Sequence, residues 1–245
     1  MATLFIVGTP IGNLEDVTLR ALRILKEVDI ILCEDMRVTQ KLLAKYEIVG
    51  KQLAPYNEQD SGVTVGKIIG WLEEGKSVAM VSDAGTPGIS DPGTLLVQKV
   101  RKHFESDKVQ PFSRLKVEPC RIEVVPGPSA LTAALSIAGV PSHEFVFLGF
   151  LPHKKGRETL FKEIAASERT MIFYESPHRI LKALESLLKF APEKRVTICR
   201  ELTKIHEEVK NGSAAELLEF FKTNEEKVRG EFVVIISSFS SSFQW

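Results

Sequence analysis

Short apolar runs alternate along this chain with longer segments whose apolar residues recur at helical spacing. The runs Thr3–Val7 and Phe232–Ser237 are typical of buried strands. Between residues 21 and 28, in contrast, apolar side chains recur every three to four positions and share one helix face. The alternation starts again near residue 140. The pattern therefore predicts an α/β protein of two consecutive domains, residues 1–140 and 141–245.

The richest run of turn-forming residues follows a predicted strand, Val78–Val81. It contains Ser82-Asp-Ala-Gly-Thr86 and a near copy, Ser90-Asp-Pro-Gly-Thr94. In the second copy, Asp91 as N-cap and Pro92 as first helical residue predict a helix start. A glycine-rich loop between a strand end and a helix is where open α/β sheets bind ligands, although it can also be only a tight connection. The density of turn residues favours a ligand site.

Composition narrows the function classes only a little. The 245 residues carry 32 Lys and Arg against 32 Asp and Glu, so no overall field points to nucleic acid, although a local basic surface stays open. The three cysteines are far apart and form no metal or disulfide pattern, and the five histidines have no metal-ligand spacing. Without a signal peptide or a membrane-length apolar run, we expect a cytoplasmic protein with no membrane partner and no metal.

One phosphate-loop match is rejected on its context. Gly70-Trp-Leu-Glu-Glu-Gly-Lys-Ser77 fits GxxxxGK[ST], but a predicted helix precedes it and a strand follows it. A phosphate loop needs the opposite order. The first strand is also followed by no GxGxxG sequence, which argues against a nicotinamide-binding domain.

Ten short motifs in a fixed order carry a closer resemblance. They are Thr9-Pro-Ile-Gly-Asn13, Cys33-Glu-Asp-Met-Arg37, Asn57-Glu58, Ser82-Asp-Ala-Gly-Thr-Pro87, Ser90-Asp-Pro-Gly93, Pro126-Gly-Pro-Ser-Ala130, Phe147-Leu-Gly-Phe-Leu-Pro152, Tyr174-Glu-Ser-Pro-His-Arg179, Arg200-Glu-Leu-Thr-Lys204 and Arg229-Gly-Glu-Phe232. With them the chain resembles, over nearly its whole length, the bacterial small-subunit ribosomal RNA (cytidine-2′-O)-methyltransferases. These enzymes belong to the tetrapyrrole methylase-like, class III methyltransferases. Residues 105–120 look longer than the corresponding turn of the family.

The resemblance implies a tetrapyrrole methylase-like fold, two α/β domains with S-adenosylmethionine in the cleft between them, and usually a homodimer. It implies as substrate the ribose 2′-hydroxyl of a decoding-centre cytidine in 16S rRNA of the assembled small subunit. The expected cofactor contacts are Pro10, Asp83, Ala84, Gly85, Thr86, Pro87, Ser90, Asp91, Pro126, Gly127, Pro128, Ser129, Ala130 and Glu175. Asp83 and Asp91 have a second interpretation as local turn or N-cap carboxylates.

The expected RNA contacts include a basic turn, His153-Lys-Lys-Gly-Arg157, which is alternatively only a solvated turn. The full set is Arg37, Asn57, His153, Lys154, Lys155, Arg157, His178, Arg179 and Arg200. His178 has a second interpretation as a structural residue at a helix N-terminus.

The acceptor hydroxyl is a weak nucleophile that a positioned base would activate. Lys204 and Glu201 are the catalytic candidates, because a desolvated lysine near Arg200 would have a lowered pKa. The alternative is that the two side chains form an ordinary ion pair. Glu175 with His178, and Asp35 and Glu58, are further candidates.

Two other function classes stay open on the sequence. One is a methylase of the same fold that acts on a tetrapyrrole-like small molecule or a protein side chain. The other is a non-catalytic, ribosome-associated module that keeps the S-adenosylmethionine pocket. The Glu-Leu-Thr-Lys and Glu-Ser-Pro-His-Arg motifs favour the RNA enzyme.

Overall fold

The computed structural model describes residues 1–57, 63–106 and 119–238. Glu58 and most of the long 105–120 segment therefore lie outside the described residues. The chain divides into two compact units, Met1–Ser129 and Ala130–Trp245. In the described part of the chain, no helix is both long enough and apolar enough to span a bilayer.

The first unit is built on a parallel sheet of five strands in the order β3-β2-β4-β1-β5. The strands are β1 Thr3–Val7, β2 Ile30–Cys33, β3 Gln52–Pro55, β4 Val78–Met80 and β5 Arg121–Val125. The helices are α1 Leu19–Glu27, α2 Met36–Lys45, α3 Val63–Glu73 and α4 Thr94–Ser106.

Apolar side chains from this sheet enter two core clusters. Leu4, Ile30 and Leu32 pack with residues of α3 and α4, while Val7 and Ile31 pack with residues of α1 and α2. Strands β2 and β4 are buried along their whole length. Continuous apolar strands are what a parallel sheet requires when helices cover both faces. All five strands also end at one edge of the sheet, so the loops that follow them share that edge.

The second unit contains a mixed sheet in the order β6-β7-β10-β8-β9. Its strands are β6 Phe145–Phe150, β7 Thr170–Glu175, β8 Arg195–Arg200, β9 Glu208–Ser213 and β10 Phe232–Ser237. Its helices are α5 Ala130–Ala138, α6 Arg157–Ala166, α7 Ile180–Phe190 and α8 Ala214–Thr223. Central β10 is antiparallel to both of its neighbours and fully buried. Because of this arrangement, β7 and β8 both end where β10 begins, so the Glu175 and Arg200 motifs meet at one edge of the sheet.

Three details differ from the sequence-based expectations. Helix α4 begins at Thr94 and not at Pro92, because Gly93 has φ +144°, outside the helical region. The half-exposed strand β3 was not predicted. The two compact units divide between Ser129 and Ala130, whereas the predicted boundary lay at residue 140. Helix α5 belongs to the second unit because it packs against β8 and β10.

The helix and the strand around the rejected phosphate-loop sequence are as expected. Helix α3 precedes it and β4 follows it. Gly75 has φ +83°, a conformation that commonly ends a helix. The Lys76 ammonium pairs with Glu74 at 2.6 Å, and both side chains are exposed. The segment is a helix-to-strand turn and does not have the geometry of a phosphate cradle.

Candidate active site

Two loops at the carboxyl edge of the first sheet are joined through their backbones. Thr9 N donates to Gly85 O at 2.8 Å, and Gly85 N donates to Thr9 O at 3.1 Å. The Thr9 hydroxyl also donates to Ser82 O at 3.2 Å. Gly85 has φ +81°, a left-handed conformation that glycine adopts without strain. The loop after β1 and the loop after β4 therefore form one bonded layer.

The loop after β5 joins the same layer. The Thr86 hydroxyl donates to Pro128 O at 3.2 Å. Gly8 and Gly127 pack so closely that a Cβ on either would lie 2.8 Å from backbone atoms of the other. Such a contact leaves no room for a side chain on either residue. The structure thus brings together, within the first unit, the expected cofactor residues Pro10, Asp83, Ala84, Gly85, Thr86, Pro87, Pro126, Gly127, Pro128 and Ser129.

Two more expected cofactor residues lie in the turn before α4. Ser90 is exposed and has φ +63°, an uncommon backbone conformation for a residue other than glycine. Asp91 is half-buried in the same turn. Gly88 N donates to Pro92 O at 3.2 Å, which closes the turn. Strained backbone of this kind is concentrated at ligand sites.

Acidic residues flank the loop layer at the end of β2. Asp83 Oδ1 accepts a hydrogen bond from Asp35 N at 2.9 Å. The Asp35 carboxylate pairs with Arg37, with Nη2 and Oδ2 2.6 Å apart, and these bonds lower the pKa of Asp35 to about 2. The pKa of Glu34 is raised, first by burial and then by the negative charges of Asp83 and Asp35. Glu34 belongs to a quoted motif, but no charge pattern in the sequence singled it out.

The expected cofactor residue Glu175 is enclosed by two arginines. Its side chain is fully buried, with Arg179 Nε at 2.8 Å from Oε1 and Arg157 Nη2 at 3.1 Å from Oε2. The arginines also donate to backbone carbonyls: Arg179 Nη1 to Leu151 O at 2.9 Å and Arg157 Nη1 to Pro152 O at 3.2 Å. Glu175 therefore fastens the end of β7 to the chain that leaves β6. Both of its oxygens already accept hydrogen bonds.

The expected RNA contacts fall into two groups. Arg157, Arg179 and Arg200 are largely buried and hold carboxylates and carbonyls within the second unit. The exposed group is Asn57, His153, Lys154, Lys155 and His178, together with Arg37, whose guanidinium is 85% exposed although it pairs with Asp35. Only the exposed group can reach a macromolecule without a rearrangement of buried ion pairs.

The loop after β8 interlocks with the loop before β10. Lys204 Nζ donates to Glu201 Oε1 at 2.8 Å and to Glu231 Oε2 at 2.9 Å. Glu201 and Thr203 both have positive φ, +52° and +65°. A Cβ on Gly230 would collide with the Glu201 carboxyl group. Two motifs distant in sequence therefore form one strained, hydrogen-bonded cluster.

The pKa of Lys204 shifts in the direction opposite to the one expected from the sequence. Burial alone would lower the pKa, but the hydrogen bonds and charges of Glu201 and Glu231 outweigh burial and raise it. Burial likewise acts to raise the pKa of Glu201, yet its bonds to Lys204 and to Glu231 N lower it. At neutral pH the cluster is a charged ion pair. Lys204 has no vacant lone pair to accept a proton in this arrangement.

Two cavities are lined by described residues, one small and beside the loop layer, the other larger and away from the expected site residues. A cavity of about 40 Å³ lies beside Pro10, Thr39 and Asp83, which is room for a water molecule and not for a nucleoside. A larger one, about 320 Å³, lies at the start of β6 beside the exposed Glu144–Arg169 pair and contains none of the expected site residues. Within residues 1–57, 63–106 and 119–238, no group of three or more His, Cys, Asp or Glu side chains is arranged to hold a metal ion.

The class of protein follows from fold and sequence together. The sequence profile of the family described as "Tetrapyrrole (Corrin/Porphyrin) Methylases" matches residues 3–218. The solved uroporphyrin-III-C-methyltransferase from Thermus thermophilus superposes with a TM-score of 0.62 at 19% identity, covering 96% of this chain and 94% of that one. The methyltransferase CobJ gives a TM-score of 0.66 at 20% identity, covering 97% and 95%. The chain belongs to the tetrapyrrole methylase family, and the predicted fold is confirmed.

Relatives with higher sequence identity have a more specific name. Over 237 residues the chain is 44% identical to "Ribosomal RNA small subunit methyltransferase I" of Thermotoga maritima, covering 97% of this chain and 99% of that protein. It is also 44% identical to the protein of the same name from Escherichia coli O157:H7, covering 95% of this chain and 77% of that protein. The resemblance expected from the ten motifs is confirmed.

The buried Glu175 cluster gives a stability prediction. Glu175→Gln keeps the size of the side chain but leaves Arg157 and Arg179 without their carboxylate. Breaking a buried ion pair costs about 3 kcal/mol of unfolding free energy. We expect a loss of that size in urea denaturation. In the control Glu144→Gln, which removes an exposed pair with Arg169, the change should stay within about 0.5 kcal/mol. Equal unfolding free energies for the two variants would contradict a stabilising role for the buried Glu175 ion pairs.

Proposed function

We propose that this protein is an S-adenosylmethionine-dependent methyltransferase that methylates 16S rRNA of the small ribosomal subunit. The proposed acceptor is the ribose 2′-hydroxyl of a decoding-centre cytidine. The observation that carries this proposal is the similarity at 44% identity to proteins named ribosomal RNA small subunit methyltransferase I, over nearly the whole chain. The tetrapyrrole enzymes, at 17–20% identity, support the fold alone.

The loop layer of the first unit is the proposed cofactor surface. A Cβ added at Gly85 would contact the Ile11 side chain (Cγ2 at 3.5 Å) and the Pro128 carbonyl (O at 3.7 Å), so the glycine leaves the space beside these two groups open. Backbone N–H and C=O groups of such loops suit an adenine edge and an amino-acid tail. Bound S-adenosylmethionine would supply an electrophilic methyl group on a sulfonium. We propose that Pro10, the 82–87 loop, Ser90, Asp91 and the 126–130 loop hold it.

In the proposed reaction the chain orients the acceptor and removes its proton. Burial, together with the charges of Asp83 and Asp35, raises the pKa of Glu34, which makes it a stronger proton acceptor than an ordinary carboxylate. Lys204, held protonated by Glu201 and Glu231, suits the role of a cation that stabilises negative charge on the acceptor oxygen. This division of roles replaces the base first expected at Lys204.

The proposed RNA surface starts from the exposed basic turn. The side chains of His153, Lys154 and Lys155 are exposed and make no ion pair in the described part of the chain. Unpaired lysines on a turn suit backbone phosphates. Asn57, Arg37 and His178 are exposed as well and complete the proposed contact set. We propose that the largely buried Arg157, Arg179 and Arg200 do not contact RNA and instead hold the neighbouring chain segments in place through their ion pairs.

We also propose a homodimer in the cytoplasm, as the resemblance implies. Large apolar side chains are exposed on two strands at the edges of their sheets, Val124 on β5 and Phe145 and Phe150 on β6. Exposed apolar residues on an unpaired sheet edge can mark an interaction surface, and we propose that a second copy of the chain covers one of these edges.

Binding of S-adenosylhomocysteine should depend on Gly85. The ligand should raise the melting temperature of the wild-type protein, since it binds only the folded chain. Gly85→Val should abolish that rise, because the branched side chain occupies the approach to the loops. Gly75→Val is the matched control: Gly75 has nearly the same φ, +83°, with no atom within 4 Å of an added Cβ. Both variants carry similar strain, so a lost rise in Gly75→Val or a normal rise in Gly85→Val would contradict the site.

The activity itself is tested by transfer of labelled methyl groups. Small subunits purified from cells that lack the enzyme should accept label from S-adenosylmethionine. After nuclease digestion, the label should be in 2′-O-methylcytidine. Label in a base or in a ribosomal protein, or none at all, would contradict the proposed reaction.

Variants separate the proposed roles of Glu34 and Lys204. Glu34→Gln should lower the single-turnover rate on the order of a hundredfold and flatten its rise with pH, because the proton acceptor is lost. Lys204→Gln should slow transfer roughly a hundredfold, the usual cost of a lost charge-stabilising donor, with the pH dependence kept.

The discriminating variant is Lys204→Arg. A cation role predicts that it keeps most of the activity, whereas a base role predicts none, because guanidinium does not give up its proton at neutral pH. Glu27→Gln, an exposed glutamate paired with Arg23, serves as the control and should be silent. An inactive Lys204→Arg together with a normal Glu34→Gln would reverse the assignment.

A further inference from the structure

A cluster of three cations surrounds one carboxylate at the start of β9. Lys227 Nζ lies 2.7 Å and Lys210 Nζ 3.8 Å from Glu208 Oε1. Arg200 Nε lies 3.6 Å from Glu208 Oε2. Three positively charged side chains therefore share this one carboxylate. None of the expected RNA contacts except Arg200 belongs to the cluster.

The fold assembles this cluster from three separate segments. Arg200 ends β8, Lys210 lies in β9, and Lys227 closes the 3₁₀ turn Glu225–Lys227. Both lysines rest on the same ring, with their ammonium nitrogens 4.5 Å and 4.9 Å from the centroid of Phe220. Cation–π contacts and the shared Glu208 oxygen hold the two long side chains in place. Binding of a ligand to Lys210 and Lys227 therefore costs little additional side-chain entropy.

Some hydrogen-bonding groups of the cluster have no hydrogen-bond partner among the described residues. Arg200 Nε and Glu208 Oε2 are buried and have no hydrogen-bond partner among the described residues, since 3.6 Å is too long for a hydrogen bond. The other guanidinium nitrogens donate to Arg229 O and His206 O, each at 3.3 Å. The side chains of Lys210 and Lys227 are 40% and 30% exposed. Each ammonium has three donors, so donors remain for an anion from solvent.

The cluster is continuous with the turn that carries Lys204. His206, whose carbonyl accepts from Arg200, lies in that turn beside Ile205, which is 97% exposed. Four acidic residues adjoin the cluster in sequence. Glu201 pairs with Lys204, and Glu207 Oε2 accepts a hydrogen bond from Thr203 N at 2.6 Å. Glu225 and Glu226 are exposed and form no ion pair in the described part of the chain. An RNA strand that presents a ribose to Lys204 would pass close to this cluster with its flanking phosphates.

We propose that Lys210 and Lys227, which share the Glu208 carboxylate with the buried Arg200, form a phosphate-binding anchor for the rRNA strand. The proposal rests on the proposed function, to which it adds a contact surface. A phosphodiester backbone fits because two fixed ammonium groups and a buried arginine offer fixed positive charge without a base-reading pattern. A single small anion would need only one of the two lysines.

The test is binding of the full-length Lys210→Gln/Lys227→Gln protein to small subunits purified from cells that lack the enzyme. Each lost phosphate contact lowers the slope of log K against log salt by about 0.7 to 0.9. We therefore expect a slope shallower by roughly 1.5, and on the order of tenfold weaker binding near 0.1 M salt. The single-turnover rate at saturating subunit should not change. Lys210→Arg/Lys227→Arg should keep the wild-type slope.

A matched control exists in the same unit. Lys162 and Lys189 also rest on one ring, 5.8 Å and 4.7 Å from the centroid of Phe190, but no arginine joins them among the described ion pairs. Lys162→Gln/Lys189→Gln makes the same charge change and should leave the slope unaltered. If this control lost the same amount of slope, the effect would depend on overall charge alone, and the proposed anchor would be wrong.

The remaining outcomes are also decisive. If the wild-type protein methylates subunits and the Lys210/Lys227 double variant keeps the wild-type slope, the anchor is wrong and the proposed function stands. If the wild-type protein neither binds nor methylates subunits, both fail. Reduced binding to phosphatidylserine vesicles with unchanged subunit binding would assign the cluster to a membrane and overturn the RNA proposal. Thermal melts confirm folding; should the double variant not fold, each single Lys→Gln variant should show about half the slope change.

Discussion

The pair of backbone hydrogen bonds between Thr9 and Gly85 is the constraint on which the candidate site depends. Parallel strands bring their following loops to one edge, but they do not fix the shape of those loops. The Thr9–Gly85 pair does so, and it requires the left-handed φ of Gly85. The contact of Gly8 with Gly127 then sets the third loop against the first. Backbone groups, rather than charged side chains, thus define the proposed cofactor surface, which suits a ligand recognised by its edges and its amino-acid tail.

Charged side chains connect the loops of the second unit, whereas backbone hydrogen bonds connect those of the first. Buried Glu175 gathers two arginines, and Lys204 joins Glu201 to Glu231 across two loops. Three of the expected RNA contacts, Arg157, Arg179 and Arg200, instead form ion pairs inside the second unit. The turn at 153–155 and the proposed phosphate anchor keep lysines at the surface.

The sequence predicted most of the architecture because buried strands and amphipathic helices repeat at distinct periods. It missed β3, Gln52–Pro55, since a short, half-exposed strand with a proline has neither period nor strong propensity. Motif spacing also predicted the loops that the structure joins at the carboxyl edge of the first sheet, which we propose as the cofactor site. It did not predict which cations pair internally, because Arg157 and Glu175 become partners only through tertiary packing. For the same reason the lowered pKa expected of Lys204 was wrong: the second carboxylate beside it comes from a distant loop.

The central claim is that the loop layer at the carboxyl edge of the first sheet binds S-adenosylmethionine. The most direct measurement is a crystal structure of the protein grown with S-adenosylhomocysteine. The account predicts ligand density against the backbones of Pro10, Gly85 and Pro128, with no side chain intervening at Gly85. Density at the start of β6, beside Glu144 and Arg169, with the loop layer empty, would contradict it.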